Sequence, residues 1–314
     1  MRVIGVLVAL LIAQMPFPNP TPLPQSFELV AHRGVHQTFP LTNLTSETCT
    51  GEIIYPPAHP FIENTIPSMR EAFVHGATTV ELDIHRTADG HLVVFHDWTL
   101  DCRTDGMGVT NEQPLDYLWT LDVGYGYTAD GGHTFPLRGT GVGMMPTLPE
   151  VLTTFPRERF VIDNKDGDEK TALLLAGVLQ TLPSEQRARL SYWGSAGWNL
   201  LQERVPEVRK YLYTGGEARS CAADYLLRML ATGTLSDRCR QPIIGFPFGV
   251  PDQIPGWPNL VLSRAHHAGA RVFITDVDTV EQLDAIKELP IDGIQTNRIE
   301  VIGPLVADRI LKSE

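Results

Sequence analysis

Val80–Asp97 reads VELDIHRTADGHLVVFHD. Glu81, Asp83 and His85 alternate with Val80, Leu82 and Ile84, a period of two that belongs to a strand and puts the three polar side chains on one face. A second apolar run, Leu92-Val93-Val94-Phe95, follows and ends in His96 and Asp97. Two neighbouring strands thus carry carboxylates and imidazoles in an apolar setting, and the rest of the chain must say what those groups are for.

Outward from this stretch, strands and helices alternate. Strand-like segments are Glu28–His32, Thr79–Ile84, Leu92–His96, Arg159–Asn164, Arg189–Trp193, Val208–Tyr213, Arg271–Thr275 and Asp292–Thr296. Helix-like segments are Asn64–His75, Leu148–Phe155, Asp168–Leu182, Ala222–Ala231, Leu260–Ala268, Val280–Leu289 and Ile299–Leu311. Several have start or stop signals, such as Asn64 before the first and Gly76 and Gly269 after two others. Pro242–Pro247 (PIIGFP) is a ninth strand or a loop. Eight strands in βα order predict an α/β protein, a (β/α)8 TIM barrel with long βα-loop insertions, and a doubly wound open sheet is the runner-up. The insertions are Val35–Ile62 and Gly124–Met145, each downstream of a strand that carries polar residues, where a lid or substrate wall is expected.

The chain has 314 residues, 43% hydrophobic and 20% charged, which describes a globular protein. Its formal net charge is −12, from 25 basic and 37 acidic residues. No Lys/Arg cluster interrupts it, which argues against a nucleic-acid or anionic-membrane surface. An acidic protein that handles a phosphate must concentrate positive charge locally, through a metal or a few basic side chains. Arg2 precedes the apolar run Val3–Ala13, which is too short to span a bilayer, and Pro16, Pro18, Pro20, Pro22 and Pro24 follow. Residues 1–25 are therefore expected to be a signal peptide or N-terminal membrane anchor with a Pro-rich linker. Residues 26–314 are expected to form the functional domain, exported to the periplasm or exterior, or anchored facing outside the cytoplasm. Cys49, Cys102, Cys221 and Cys239 include no C-x-x-C pair, which argues against zinc. The expected pairing is Cys49–Cys102 and Cys221–Cys239, with free buried thiols the alternative. Asn43-Leu44-Thr45 is a glycosylation sequon, informative only in a eukaryote.

Polar residues collect at the ends of the early strands: His32 and Arg33 after the first, Glu63-Asn64-Thr65 before the first helix, Glu81 and Asp83, His96-Asp97, then Asp163 and Lys165. Glu81, Asp83 and Asp163 are hard oxygen ligands suited to Ca²⁺ or Mg²⁺. Two histidines can act as general base and acid, and Arg33 and Lys165 can neutralise phosphate oxygens. A divalent cation, two imidazoles and basic clamps together point to phosphodiester cleavage.

The segments AHRG (Ala31–Gly34), ENTIPSMREAF (Glu63–Phe73), GATTVELDIHRTADGHLVVFHDWTLDCRT (Gly76–Thr104), MPTLPEVL (Met145–Leu152) and DGIQTN (Asp292–Asn297) resemble, in order, the glycerophosphodiester phosphodiesterases. The resemblance implies a TIM barrel with His32 and His96 as the acid/base pair and Glu81 and Asp83 as metal ligands. It further implies Glu63 as supporting acid or ligand, and Arg33 as a phosphate contact. The implied reaction is attack by a glycerol hydroxyl on its own phosphate with one divalent cation. Water then opens the cyclic phosphate to sn-glycerol 3-phosphate. The substrate is a small glycerophosphodiester, and the alternatives are a lysophospholipase D or sphingomyelinase D-like lipid enzyme or a non-catalytic phosphoester-binding barrel.

Three departures stand out. The family's I-E-x-K is Ile162-Asp163-Asn164-Lys165 here, its W-T-V-N is replaced by Phe273–Asp278 (FITDVD), and the loop from Gly34 to Glu63 is long. Phe273 or Trp257 is the expected substitute for the missing aromatic wall. Trp98 and Trp193 are candidates for substrate contact or for rim packing. His85 is expected at the rim or in solvent, and His36, His59 and His133 on the surface. Asp97 either orients His96 or caps a turn.

Overall fold

The computed structural model describes residues 27–45, 48–212, 228, 243–254, 256–267 and 269–310. Residues 1–25, Cys221, Cys239 and nearly all of the expected helix Ala222–Ala231 lie outside them. The strands are β1 (Glu28–His32), β2 (Thr79–Arg86), β3 (Leu92–Val94), β4 (Phe160–Asn164), β5 (Leu190–Trp193), β6 (Arg209–Lys210), β7 (Ile243–Pro247), β8 (Arg271–Thr275) and β9 (Gly293–Thr296). Among the described residues seven longer helices alternate with them: α1 (Ile66–Val74), α2 (Leu148–Thr154), α3 (Glu169–Gln180), α4 (Trp198–Arg204), α5 (Asn259–His267), α6 (Val280–Ile286) and α7 (Ile299–Ile310). Among the described residues no helix is long and apolar enough to cross a membrane.

Eight strands run parallel in the order β6-β5-β4-β2-β1-β9-β8-β7 and form a nearly closed TIM barrel. The first and last sequence strands, β1 and β9, pair from Glu28↔Gly293 to Ala31↔Thr296, so the sheet closes across the chain ends.

Membership differs from expectation in one respect. Leu92–Val94 is not a barrel strand: β3 folds back antiparallel on β2 (Ile84↔Val94, Arg86↔Leu92) and lies off the barrel path. Ile243–Pro247 takes its place as the eighth member, pairing with β8. The Asp89-Gly90 turn explains the reversal. Gly90 takes φ +85°, Thr87 N–H donates to the His91 carbonyl at 2.8 Å, and no crossover helix separates the two runs.

Alternation sorts the strand residues into two populations. Leu29, Ala31, Val80, Leu82, Ile84, Phe160, Ile162, Leu190, Tyr192, Val272, Ile274 and Ile294 join the helices in one large core. The opposite parity faces the lumen, where Val30, Val161, Tyr211, Leu212, Ile243 and Phe273 form a second, smaller cluster. At the N-terminal end of the lumen Glu28 bonds Thr79 Oγ1 at 2.7 Å and Arg271 at 2.9 Å. The C-terminal end of the same inner face carries His32, Asp83, Asp163 and Trp193.

The two insertions pack on each other. Ile54 and Ile62 join Val93, Phe95, Leu100, Leu115, Leu118, Leu121, Val123, Tyr127, Leu137 and Met145 in a third cluster. The Cys49–Cys102 disulfide, as expected, ties the first insertion to the segment after His96.

Candidate active site

Strand register sets the floor of the site. His32 lies level with Glu81, Asp83 with Asp163, and Asp163 with Trp193. Glu81 and Asp83 are fully buried, and one carboxylate oxygen from each of Glu81, Asp83 and Asp163 lies within 4.8 Å of the others. The shorter Asp163 side chain therefore still brings an oxygen to the group. Lys165, just past β4, places Nζ 3.1 Å from Asp163 Oδ2 and 3.3 Å from Asp83 Oδ1.

The turn after β1 supplies the next layer. Arg33 adopts φ +58° and Gly34 φ +79°, so the chain reverses as soon as the strand ends. A Cβ on Gly34 would sit 2.5 Å from Ser68 Oγ of α1, so close approach and left-handed backbone together demand glycine. The reversal sends the Arg33 guanidinium over the acids, with Nη1 3.1 Å from Glu63 Oε1 and Nε 3.3 Å from Asp83 Oδ2, while its backbone N–H donates to Glu81 Oε2 at 3.1 Å. Asn64, also left-handed at φ +59°, donates Nδ2–H to Asp83 Oδ2 at 2.8 Å and accepts the Asp83 N–H at 3.2 Å. Thr65 then caps α1 by accepting from Ser68 N–H. Glu63 and Asn64 are placed by a helix start, as the motif order implied.

Both candidate acid/base imidazoles are held at Nδ1. His32 Nδ1 is 2.6 Å from Asn297 Oδ1, and Asn297 is fixed in turn by Asp278, which accepts its backbone N–H at 2.7 Å and its Nδ2–H at 2.9 Å. His32 Nε2 lies 3.7 Å from Glu81 Oε2. His96 Nδ1 is 2.7 Å from Asp97 Oδ1, which settles Asp97 as the residue that orients His96. His96 comes from the segment after β3, so it reaches the mouth from the side rather than from a barrel strand end.

His85 is fully buried, contrary to the expected rim position. Its Nδ1 lies 2.6 Å from Asp166 Oδ1 and its Nε2 3.3 Å from the His96 carbonyl. Asp166 is anchored further by Arg86 N–H and Thr171 Oγ1. The period of two was right about the face; the partner that buries the ring lies 81 positions away. His36 is likewise 3% exposed rather than on the surface, edge-on to His32 with ring centroids 5.9 Å apart. His59 is half-buried and His133 exposed.

Phe273 does not stand at the mouth. It is completely buried in the lumen, packed edge-on against Tyr211 with Arg271 above its ring, which removes it as an aromatic wall. Trp257 packs on Phe246 instead. Trp98 is 53% exposed, and Trp193, half-buried on Tyr211, is the aromatic ring level with Asp163.

Electrostatics divide the acids. Burial, with Asp83 and Asp163 close by, pushes the Glu81 carboxyl well above its ordinary range. Burial also raises Asp163, against the pull of Lys165. Burial would raise Asp83 as well, but Lys165 and Arg33 outweigh it and hold Asp83 well below. Both imidazoles are driven toward the neutral form: burial and Arg33 push His32 far down and His96 to about 4. A cluster that holds two of its three carboxyls high, with Glu81 Oε1 buried and lacking any hydrogen bond, is suited to a hard divalent cation. Glu81, Asp83 and Asp163 are the residues that would hold it.

Comparison with known proteins places this geometry. A family model described as "Glycerophosphoryl diester phosphodiesterase family" matches residues 32–301. The chain belongs to that family. A glycerophosphodiester phosphodiesterase of Caldanaerobacter subterraneus is 36% identical over 101 residues, covering 32% of this chain and 38% of the relative. Mouse glycerophosphodiester phosphodiesterase 1 is 51% identical over 128 residues, covering 40% of this chain and 37% of the relative. The chain thus spans well under half the length of the curated relatives it matches. Among solved structures, a phosphodiesterase from Oleispira antarctica in complex with the product sn-glycerol-3-phosphate superposes with a TM-score of 0.58 at 19% identity, over 90% of this chain and 97% of that one.

Sequence reasoning passed over four residues that the fold brings into the site. Arg103, Asn297 and Asp278 lie inside the quoted stretches, Asp278 three residues past β8, and Asp166 lies two residues past β4. Their residue types were visible; their partners were not.

Proposed function

We propose that this chain hydrolyses glycerophosphodiesters to sn-glycerol 3-phosphate and an alcohol. The observation that carries the reading is the cluster of three carboxylates within 4.8 Å of one another, flanked by two imidazoles, each held at Nδ1 by a fixed oxygen. Pinning Nδ1 leaves Nε2 as the working nitrogen of both rings. One Nε2 takes the proton of a glycerol hydroxyl as its oxygen bonds to phosphorus. The other enters as imidazolium, its second proton taken up with the anionic diester, and gives its Nε2 proton to the departing alcohol as the P–O bond to that alcohol breaks. Water then reverses these roles and opens the cyclic phosphate. Arg33 and Lys165 offset the charge of the non-bridging oxygens, and Glu63 keeps Arg33 in place. A divalent cation such as Ca²⁺ or Mg²⁺ on Glu81, Asp83 and Asp163 would supply Lewis-acid charge neutralisation at the phosphoryl group. Export from the cytoplasm is part of the same proposal, supported by the apolar run Val3–Ala13 and by the Cys49–Cys102 disulfide, which suits an oxidising compartment.

The test is turnover of glycerophosphocholine and glycerophosphoethanolamine by the full chain with Ca²⁺, Mg²⁺ or chelator, reading sn-glycerol 3-phosphate enzymatically. Turnover that needs a cation and disappears in His32→Ala and His96→Ala is expected. Absence of turnover with every cation, alongside retained binding of the diester, would leave only a phosphoester-binding barrel. Turnover of lysophosphatidylcholine in preference to both diesters would make it a lipid enzyme.

A further inference from the structure

His96 has no ladder hydrogen bond to fix it, because β3 ends at Val94. Its ring depends on Asp97, and Asp97 depends on Arg103. One carboxylate oxygen of Asp97 accepts from His96 Nδ1 at 2.7 Å, and the other accepts from Arg103 Nη1. The remaining guanidinium nitrogens are also taken. Nη2 donates to Thr50 Oγ1 at 2.6 Å, and Nε donates to Tyr127 Oη at 3.0 Å and lies 3.4 Å from Glu63 Oε2. Arg103 is 3% exposed, with the Tyr127 ring 5.7 Å away.

The cage around this fork is rigid on two sides. Thr50 follows Cys49 and Arg103 follows Cys102, so the disulfide fixes the donor and one acceptor relative to each other. On the other side, a Cβ at Gly126 would come within 1.9 Å of the Cys102 carbonyl, so the Tyr127 segment lies directly against the Arg103 backbone.

We infer that Arg103 is the positioning residue for His96: its fixed fork holds the Asp97 carboxylate in the orientation that keeps the proton on His96 Nδ1 and turns Nε2 to the site. The inference rests on the proposed role of His96. The physical need is specific to this histidine. The partner of His32 is an amide, neutral and oriented by Asp278. The partner of His96 is a carboxylate with most of its surface shielded from solvent, which calls for a countercharge and would otherwise rotate. Burial would raise Asp97, and Arg103 with His96 drives it far below the usual carboxylate range. A lysine would bring the charge without the fork: a single ammonium cannot hold Asp97, Thr50 and Tyr127 at three fixed angles.

The experiment compares Arg103→Lys, Arg103→Met and His96→Ala in the full chain. Glycerophosphocholine turnover and the ¹⁵N imidazole resonances of metal-free protein are read, with His96 assigned by its loss in His96→Ala. In the wild type, His96 is expected to show a protonated Nδ1 and an unprotonated Nε2. Arg103→Lys is expected to mix the tautomers and lower kcat roughly 10–100-fold, the range typical of removing an outer-shell orienting partner, with KM within about twofold. Arg103→Met is expected to lose at least as much. If Arg103→Met does not fold, as judged by far-UV circular dichroism, Arg103→Lys decides alone. Wild-type kcat together with an unchanged His96 tautomer in Arg103→Lys overturns the inference. Full turnover in His96→Ala overturns the acid/base reading instead, and the tautomer measurement then still tests Arg103 independently.

Discussion

Glu81 and Asp83 stand two positions apart on one strand face, yet their surroundings shift them in opposite directions. Glu81 is pushed up by burial and like charge, and Asp83 is held down by Lys165 and Arg33. A cation that binds all three acids must displace the proton from Glu81. Affinity for Ca²⁺ or Mg²⁺, measured calorimetrically, is therefore expected to rise from acid to neutral pH with net proton release. Asp83→Asn is expected to weaken it at least about tenfold. Metal affinity that is flat across this range and intact in Asp83→Asn would remove the cluster as a cation site. Glu63 and Asp166 give a second pH signature. Burial would raise both, but Arg103 and Arg33 outweigh it at Glu63, and the His85 hydrogen bond does so at Asp166, bringing each to about 2. Depressed carboxylates contribute stability above their unfolded values and lose it as pH falls through the folded ones. The melting temperature should accordingly decline between about pH 5 and pH 2, and less steeply in Glu63→Gln, if that variant folds. At this scale the sequence was informative where a motif supplied a partner, as for His32 and Glu81. It was silent for His85, because alternation assigns a face and cannot assign Asp166.

Short apolar runs are the elements on which local pattern and tertiary structure part company. Leu92–Val94 and Ile243–Pro247 look alike as strings, and only the connection between strands separates a side hairpin from a barrel member. The βα order was legible because described crossovers carry helices with their own start signals: Thr65, Thr147, Asp168 and Thr279 each accept a backbone N–H of the helix that follows. Thr147 shows this most fully: its side chain accepts from Glu150 N–H while Glu150 reaches back to the Thr147 N–H. Thr147→Ala should destabilise the protein by about 1 kcal/mol in urea titration, with an unchanged m-value. The insertions are a different kind of element: a lid or substrate wall was expected of them from their length and place, and they are irregular in backbone yet built on their own apolar cluster. Gly126→Ala, which drives a methyl group into the Cys102 carbonyl, should lower both stability and kcat; wild-type values for both would show that the wall does not support the site.

For the molecule as a whole, the barrel supplies His32 and the acids, and the side hairpin with its insertions supplies His96. The disulfide joins the first insertion to the segment after His96, around a stretch of sequence separation 53 that contains α1, β2 and β3. Chain-entropy arguments put the stabilisation from a loop of that length at about 4 kcal/mol at most. Reduction with a non-denaturing thiol should lower the melting temperature measurably and lower kcat more than it raises KM. A reduced protein with unchanged melting temperature would show that the third cluster holds the insertions without covalent help. The barrel was readable from the chain because parallel strands buried on both faces leave continuous apolar runs, whereas the assembly of its mouth depends on contacts between segments distant in sequence. The position of the bridge has one more consequence, in the order of synthesis. A chain made from its N-terminus presents Cys102 to Cys49 while Cys221 and Cys239 do not yet exist. The bond that braces the mouth is also the first one the growing chain is able to make, so the correct partner needs no selection from among later ones.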